Sequence, residues 1–378
     1  MNSVFAVDQE RILRTFLELV EINAPSFGEQ EIAHVLAQKL EQAGCRVEIQ
    51  DYGRALNIIA SKKGRKSGMP ILLSGHMDTV EPAEGVLYSI EDGIIRTKGP
   101  TVLGADDKSA LAQIIEAITL LEEKGIPHGD IEIVFTSAEE KGLHGAKNLD
   151  FKGLKSRHAL ILDSSGPVGN LVIAAPTHLT YEMKVIGKSA HAGIEPEKGL
   201  SAIKAAAEII ANIPDGRINE GTTANIGMIH GGTATNVVPR EVSIHGEMRS
   251  LDQEDLMRTK KTIFDTARTI AKKRRVRLDI REEEEYRAFQ ITENDSFIQF
   301  LCGVYTVCGI EPSLVVSGGG SDANVFNGKG IKAVNISNGM QKVHSNDEFI
   351  AISDLVKGAL IVLKVLTEFP GFREERGV

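Results

Sequence analysis

The hydrophobic pattern changes period twice along these 378 residues, and that change constrains the fold more than any other feature. In the first part, short unbroken apolar runs stand at Leu56 to Ala60, Ile71 to Leu73, Ile131 to Phe135, Ala159 to Leu162 and Leu171 to Ile173, each bounded by turn residues. Runs of that length without alternation read as strands buried on both faces. Helical stripes lie between or before them: Ile12, Leu13, Phe16, Leu17 and Val20; Ile32, Val35, Leu36 and Leu40; Leu111, Ile114, Ile115, Ile118 and Leu121. Ser26-Phe27-Gly28-Glu29 has the spacing of a capping box ahead of the second stripe, and Gly44 and Gly125 close the second and third. Strands alternating with helices predict an α/β domain with a mostly parallel sheet flanked by helices.

From Leu179 the period falls to two. Leu179, Tyr181, Met183 and Val185 alternate with Thr180, Glu182 and Lys184, the mark of a strand with one wet face. An Ala-rich helix (Leu200 to Ile213), strands near Ala224 to His230 and Val242 to Met248, a helix (Asp252 to Ala271) and a strand (Val276 to Ile280) follow. The order βαββαβ is ferredoxin-like. The first pattern then resumes with a helix near Asp295 to Val307, strands at Leu314 to Val316 and Lys332 to Asn335, and a helix from Ser353. The expectation is a discontinuous domain, 1–176 and 291–378, interrupted by an α+β domain at 177–290. The run Lys272 to Arg277 followed by Glu282 to Glu285 reads as a solvated charged rim.

Composition narrows the function. Lys plus Arg number 43 against 52 Asp plus Glu, a net charge of −9, and there is no Trp among only 5% aromatics. An acidic chain without stacking platforms argues against nucleic acid or an anionic membrane as partner. Asp8, Glu10 and Glu18 interrupt the N-terminal apolar residues, unlike a signal peptide, and no run approaches the roughly 18 apolar residues of a membrane span. Three cysteines (Cys45, Cys302, Cys308) without CxxC spacing read as buried thiols of a reducing cytoplasm.

In open α/β sheets, sites gather at the carboxyl ends of the strands, so the polar residues there carry most information. Ser74-Gly75-His76-Met77-Asp78 follows one apolar run, Thr136-Ser137-Ala138-Glu139-Glu140 another, and Asp163 a third. Gly104-Ala105-Asp106-Asp107-Lys108 precedes a helix, and His344 follows the strand at Lys332 to Asn335. Singly each has a bland reading: a hydrogen-bonded structural histidine, or an aspartate pair capping a helix. Together they do not, because converging carboxylates repel and resist desolvation unless a cation neutralises them. Imidazoles with carboxylates and no cysteine suit Zn²⁺, Co²⁺ or Mn²⁺. His76 and Asp78, two apart, point the same way in extended chain, so Asp78 can orient the imidazole. Adjacent Glu139 and Glu140 would point oppositely, so one can bind metal while the other acts as general base on the attacking water.

These motifs, in order and with their flanking residues, resemble the dinuclear metallopeptidase family that includes peptidase T, carboxypeptidase G and acetylornithine deacetylase, and look closest to its peptidase T-like branch. The resemblance spans essentially the whole chain. It implies His76 and Asp163 on one metal, Glu140 and His344 on the other, Asp106 bridging both, and Glu139 as the general base. It also implies a cis peptide bond between Asp106 and Asp107. In the inserted domain, Lys188-Ser189-Ala190-His191-Ala192-Gly193 looks like the family's oxyanion-stabilising lid histidine, and Gly231 to Pro239 like the segment whose Asn, here Asn236, contacts substrate. Arg249 sits where the family carries an arginine suited to a carboxylate; its bland reading is a surface ion pair. Peptidase T proper has a longer connection between the segments matching His76 and Asp106, and Arg-Gly-Gly-Thr-Asp where this chain reads Ser317-Gly318-Gly319-Gly320-Ser321-Asp322.

The expected activity is hydrolysis of the amide bond of short peptides by an aminopeptidase-like or tripeptidase-like enzyme holding two divalent ions, zinc foremost, with a homodimer formed through the inserted domain. The rival of the same chemistry is an N-acyl-amino-acid amidohydrolase. The rival of another class is a non-catalytic metal-binding module, which has no need of Glu139.

Overall fold

Every apolar run named above forms a strand or part of one in the computed structural model, which describes residues 6–374. In chain order the elements are α1 (Gln9–Glu21), α2 (Gln30–Gln42), β1 (Arg46–Asp51), β2 (Leu56–Lys62), β3 (Ile71–His76), β4 (Tyr88–Glu91), β5 (Ile94–Thr97), α3 (Ala105–Glu123), β6 (Ile131–Thr136), α4 (His144–Lys147), β7 (His158–Ser164) and β8 (Asn170–Ala175). Then come β9 (Thr177–Ile186), α5 (Ala202–Asn212), β10 (Gly216–Asn219), β11 (Thr222–Gly231), β12 (Glu241–Ser250), α6 (Gln253–Arg274) and β13 (Arg277–Tyr286). The chain closes with β14 (Phe289–Gln290), α7 (Ser296–Val307), β15 (Ser313–Val316), α8 (Asp322–Gly328), β16 (Lys332–Ser337), β17 (Phe349–Ala351) and α9 (Ile352–Glu368). Two compact units result. One holds the chain up to Ile173, Gln290–Val316 and the chain from Ser321 on; the other holds Ala174–Phe289 and the short strip Ser317–Gly320.

The larger unit is built on a sheet ordered β1-β2-β6-β3-β7-β16-β8-β14, with β15 beside β8. Its centre, β6-β3-β7-β16, is parallel, so the carboxyl ends of these strands lie on one side. The pairs β1/β2, β2/β6 and β16/β8 are antiparallel. All residues of β3 and β6 are buried, as expected of strands covered on both faces. Helix α3 is buried on every side through Leu121 except at Thr119, and it packs against α1 and α9. Gly75 lets its first turn approach β3, for a Cβ there would stand 2.7 Å from Asp107 Oδ2 and 3.1 Å from Ala110 Cβ.

The second unit is an antiparallel sheet in the order β10-β11-β12-β9-β13. Without β10, a short hairpin partner absent from the sequence reading, this is the ferredoxin-like arrangement. Leu179, Tyr181, Met183 and Val185 pack with Val242, Ile244 and Met248 under α5 and α6, whose core residues include Ala205, Ile209, Ile263 and Ala267. The alternate residues His178, Thr180, Glu182 and Lys184 are only half-buried, as are Ser243, His245, Glu247 and Arg249 on the neighbouring strand. The charged run Glu282 to Glu285 belongs to β13, in register with β9 as far as Glu284↔Leu179, and its first three residues are exposed, as a solvated rim requires. A sheet edge tolerates such charges, which also discourage pairing with a further strand.

The three cysteines are free, Cys45 and Cys308 buried and Cys302 half-buried. Among the described residues no helix is long and apolar enough to cross a membrane.

Candidate metal centre

His76 is the last residue of β3, Glu139 and Glu140 follow the end of β6, Asp163 lies near the end of β7, and Asp106 opens α3. Parallel pairing of β6, β3 and β7 therefore brings these side chains to one rim. Asp106 is central. Its Oδ1 stands 3.0 Å from His76 Nε2 and its Oδ2 3.2 Å from His344 Nε2, so its two oxygens are divided between two imidazoles. His344 Nε2 also lies 2.8 Å from Glu140 Oε1, and His76 Nε2 lies 3.9 Å from Asp163 Oδ1. Donor atoms of His76, Asp106 and Glu140 all lie within 4.8 Å of one another, as do those of His76, Glu139 and Asp163 and those of Asp106, Asp107 and Asp163. The Asp106–Asp107 peptide bond is cis.

The electrostatics ask for positive charge here. Burial, with the negative charge of Asp163 or Asp106 beside it, raises the carboxyls of Glu139 and Asp163 well above the ordinary range, and Asp107 is raised chiefly by burial too. Hydrogen bonds to Asp106 and Glu140 push His344 up to about 10. Burial alone would lower His76, but its contacts with Asp106 and Asp78 carry it well above its usual value. A hydrogen-bonded histidine and carboxylate set of this density, with no thiolate, fits hard or borderline divalent ions such as Zn²⁺ or Mn²⁺.

Two sequence readings of this region are corrected. Ser26 and Glu29 do not form a capping box: α2 begins after Glu29 with no side-chain cap. Ser26 Oγ donates instead to Asp78 Oδ2 at 2.7 Å, and Glu29 Oε1 accepts the backbone N–H groups of Phe27 and Ala138, each at 2.8 Å. Nor are Glu139 and Glu140 extended; they lie in a turn beyond β6, with Ala138 at φ +47°. Asp78 holds that turn, Oδ1 accepting the Glu139 N–H at 2.9 Å and Oδ2 the Glu140 N–H at 3.2 Å. His76 Nδ1 is nearer the Asp78 backbone carbonyl (2.8 Å) than its carboxylate (3.4 Å). Asp78 thus orients the glutamates at least as directly as the imidazole.

Further buried residues at this rim fix the candidate ligands. Asn335 accepts the Asp163 N–H through Oδ1 (2.9 Å) and donates to the Asp163 carbonyl (2.7 Å) and Ser321 Oγ (3.1 Å). Asn338 donates to Asp107 Oδ1 at 2.8 Å, while Asp107 Oδ2 accepts the His76 N–H at 3.1 Å. Glu348 accepts the N–H groups of Gly104 and Asp106 at 2.8 and 3.0 Å, and burial raises it to about 7. Thr136 donates to Asp322 at 2.5 Å. The strand-end rule could have found Asn335 and Asn338; nothing local marks Glu348, and the local pattern marks Glu29 only as a cap for α2.

In the second unit, His191 and Asn236 are exposed and close together. Their loops are zipped by a backbone bridge between His191 and Val237, by Ala192 N–H to Asn236 carbonyl (2.9 Å) and by Val238 N–H to Ala190 carbonyl (2.9 Å). Arg249 is not with them. It sits at the other end of β12, opposite His178, roughly 26 Å from the Glu241 end by the rise of eight strand residues.

Comparison with known proteins places the chain among the metallopeptidases: the Peptidase dimerisation domain family matches residues 173–275, and Peptidase family M28 matches residues 57–183. Within that class it belongs to the peptidase T-like family. The aminopeptidase PepT of Bacillus cereus ATCC 10987 is 41% identical, with 96% of this chain and 99% of that chain covered and a TM-score of 0.89. A tripeptidase of Staphylococcus aureus is 35% identical, with 97% and 100% covered and a TM-score of 0.93. YqjE of Bacillus subtilis is 42% identical over 371 residues, 96% of this chain and 99% of its own.

Proposed function

We propose that this protein is a two-metal aminopeptidase that hydrolyses the amide bond of short peptides in the cytoplasm, with zinc as the foremost candidate metal. The observation that carries the reading is Asp106, whose two oxygens face two different imidazoles as a bridging carboxylate requires. His76 and Asp163 would hold one ion, Glu140 and His344 the other. Bound there, the ions supply Lewis acidity that activates water and polarises the scissile carbonyl. Glu139, buried and raised by burial and by Asp163, takes the proton of the attacking water and returns it to the leaving amine. Asp78 keeps Glu139 and Glu140 in place through their amides.

His191 is assigned to the developing oxyanion, Asn236 to the substrate and Arg249 to its terminal carboxylate. A tripeptide spans only about 10 Å when extended. One short substrate therefore cannot touch both ends of a single β12, and if His191 and Arg249 both serve it, they come from two copies. This supports a homodimer formed through the inserted unit, in which that unit acts as a lid. The names of the aminopeptidase and tripeptidase relatives favour peptides over N-acyl amino acids as substrate class. The test is to strip the protein with chelator, reload it with zinc, cobalt or manganese, and assay di- and tripeptides beside N-acyl amino acids. Cleavage of the acyl substrates alone would overturn the peptide reading, and activity indifferent to chelation would overturn the metal one.

A further inference from the structure

The wet face of the second unit carries a polar chain that the metal chemistry does not use. Glu247 accepts from His178 Nε2 at 2.8 Å and from Arg249 Nε and Nη2, both at 3.1 Å. His178 and Arg249 face each other across β9 and β12, and Glu247 lies two residues from Arg249 on the same strand face. A guanidinium offers five N–H donors in a rigid fork. Glu247 closes the side edge, made of Nε and Nη2, and Nη1 reaches the Gly318 carbonyl only at 3.5 Å. The end edge, with one hydrogen from each of Nη1 and Nη2, keeps the spacing of a second carboxylate.

The strip Ser317–Gly320 completes the arrangement. The Gly320 N–H donates to Tyr286 Oη at 3.0 Å, and a Cβ at position 320 would fall 2.2 Å from the Tyr286 ring, so glycine is required for the strip to lie there. The Tyr286 ring in turn lies 5.4 Å from that of His178. The hydrogen bond from His178, with that from Arg249 and against the effect of burial, holds Glu247 down at about 2, so it is an anion at any working pH.

We propose that Glu247 is a positioning residue for substrate recognition: by gripping the side edge of Arg249, and being held itself by His178, it presents the end edge of the guanidinium to the terminal carboxylate of a short peptide. The inference rests on the assignment of Arg249 to that carboxylate. It differs in sign from a simple charge argument. Glu247 offsets the positive charge of Arg249, so if charge alone mattered, its removal would strengthen carboxylate binding. Positioning predicts the reverse, because an ungripped arginine must lose its rotamer freedom on binding, on the order of 10- to 30-fold in kcat/KM.

The experiment uses the metal-loaded enzyme with trialanine and its C-terminal amide, comparing the wild type with Glu247→Gln, His178→Ala, Arg249→Ala and the Glu247→Gln/Arg249→Ala double variant. The expected result is that Glu247→Gln cuts the preference for the free acid about 10- to 30-fold, through KM more than kcat, and that His178→Ala cuts it less. In the Arg249→Ala background, Glu247→Gln should change the preference no further. An unchanged or increased preference in Glu247→Gln, or an equal drop with and without Arg249, overturns the proposal. His178→Ala keeps the question answerable if Glu247→Gln does not fold, since an unchanged preference there refutes the grip as well. If Arg249→Ala alone leaves the preference of the wild type intact, the carboxylate assignment itself is what fails.

Discussion

Two buried carboxylates hold the turn that carries Glu139 and Glu140, and neutralising one should cost far more than neutralising the other. Asp78 and Glu29 are both fully buried. Asp78 uses both oxygens, Oδ1 on the Glu139 N–H and Oδ2 on Ser26 Oγ and the Glu140 N–H. In Asp78→Asn, whichever way the amide is turned, its NH₂ faces a backbone N–H of the turn. One charge-assisted hydrogen bond is lost, about 1.5 to 3 kcal/mol, and a buried N–H is left unsatisfied, about 1 to 3 kcal/mol more. A total near 3 kcal/mol, felt in the placement of the base, corresponds to a fall in kcat on the order of 100-fold. Glu29 instead places both amides on Oε1, while Oε2 has no partner. In Glu29→Gln the carbonyl oxygen can keep both bonds and the NH₂ occupies the unpartnered position, so kcat should stay within about threefold. The assay is steady-state turnover of a tripeptide by metal-saturated protein, with stability followed by chemical denaturation. Only the pH dependence differs in sign. Burial opposes ionisation of Asp78, but its hydrogen bonds, first that of His76, leave it below the usual 3.8, so its stabilisation is present above that pH and is lost as pH falls through the lowered value. Burial raises Glu29 above 4.5, so what it contributes is present below 4.5 and is lost as pH rises through the raised value. Equal loss of turnover in the two variants would refute the reasoning, because it would mean that the charge of Glu29, not its geometry, matters.

Glu139→Gln should abolish turnover and leave metal content near wild type, whereas His76→Ala should lose metal; elemental analysis beside activity separates the two, and a Glu139→Gln enzyme that still turns over would need a different base. Burial pushes the Cys45 thiol up to about 11, so in folded protein at pH 8 it should resist alkylation, while half-buried Cys302 reacts first; peptide mapping after a short iodoacetamide pulse checks the order. Mixed dimers of Glu139→Gln and His191→Ala chains should regain activity if His191 serves the partner's site, since one of the two sites then combines Glu139 of one chain with His191 of the other; absence of any recovery on subunit exchange would mean that each chain uses its own.

Legibility in the sequence follows what each residue is bound to. Strands β3, β6 and β7 were readable because each is a short run buried on both faces, which forces an unbroken apolar string, and because the polar residue just past its end cannot be structural padding. The proposed ligands fall at those ends, so periodicity and chemistry point to the same place. The inserted unit was readable from alternation in β9 and β12. By contrast β4, β5 and β17 form a separate three-stranded sheet of four, four and three residues, too short to print a period. Strand β13 was cut short in the reading because its last residues are glutamates, which hydrophobicity assigns to solvent and which an edge position in fact accommodates.

The site divides along the same line. A metal ligand announces itself because its type and spacing are imposed by the ion, but a residue that positions a ligand is chosen by whichever backbone amide happens to need an acceptor. Glu29 is the clearest instance: it stands just before a helical stripe that begins at Ile32, three residues after Ser26 as in a capping box, and local rules give it to α2. In the fold its carboxylate is taken 109 positions away, to the Ala138 amide, and Ser26, the other half of the apparent box, is taken 52 positions away, to Asp78. Both go to the Glu139 turn, one directly and one through Asp78. A capping pair whose members are drawn off together is therefore itself a signal. The helix forgoes its side-chain cap while Ser26 and Glu29 hold the turn that carries Glu139 from two sides, through carboxylates that water cannot reach.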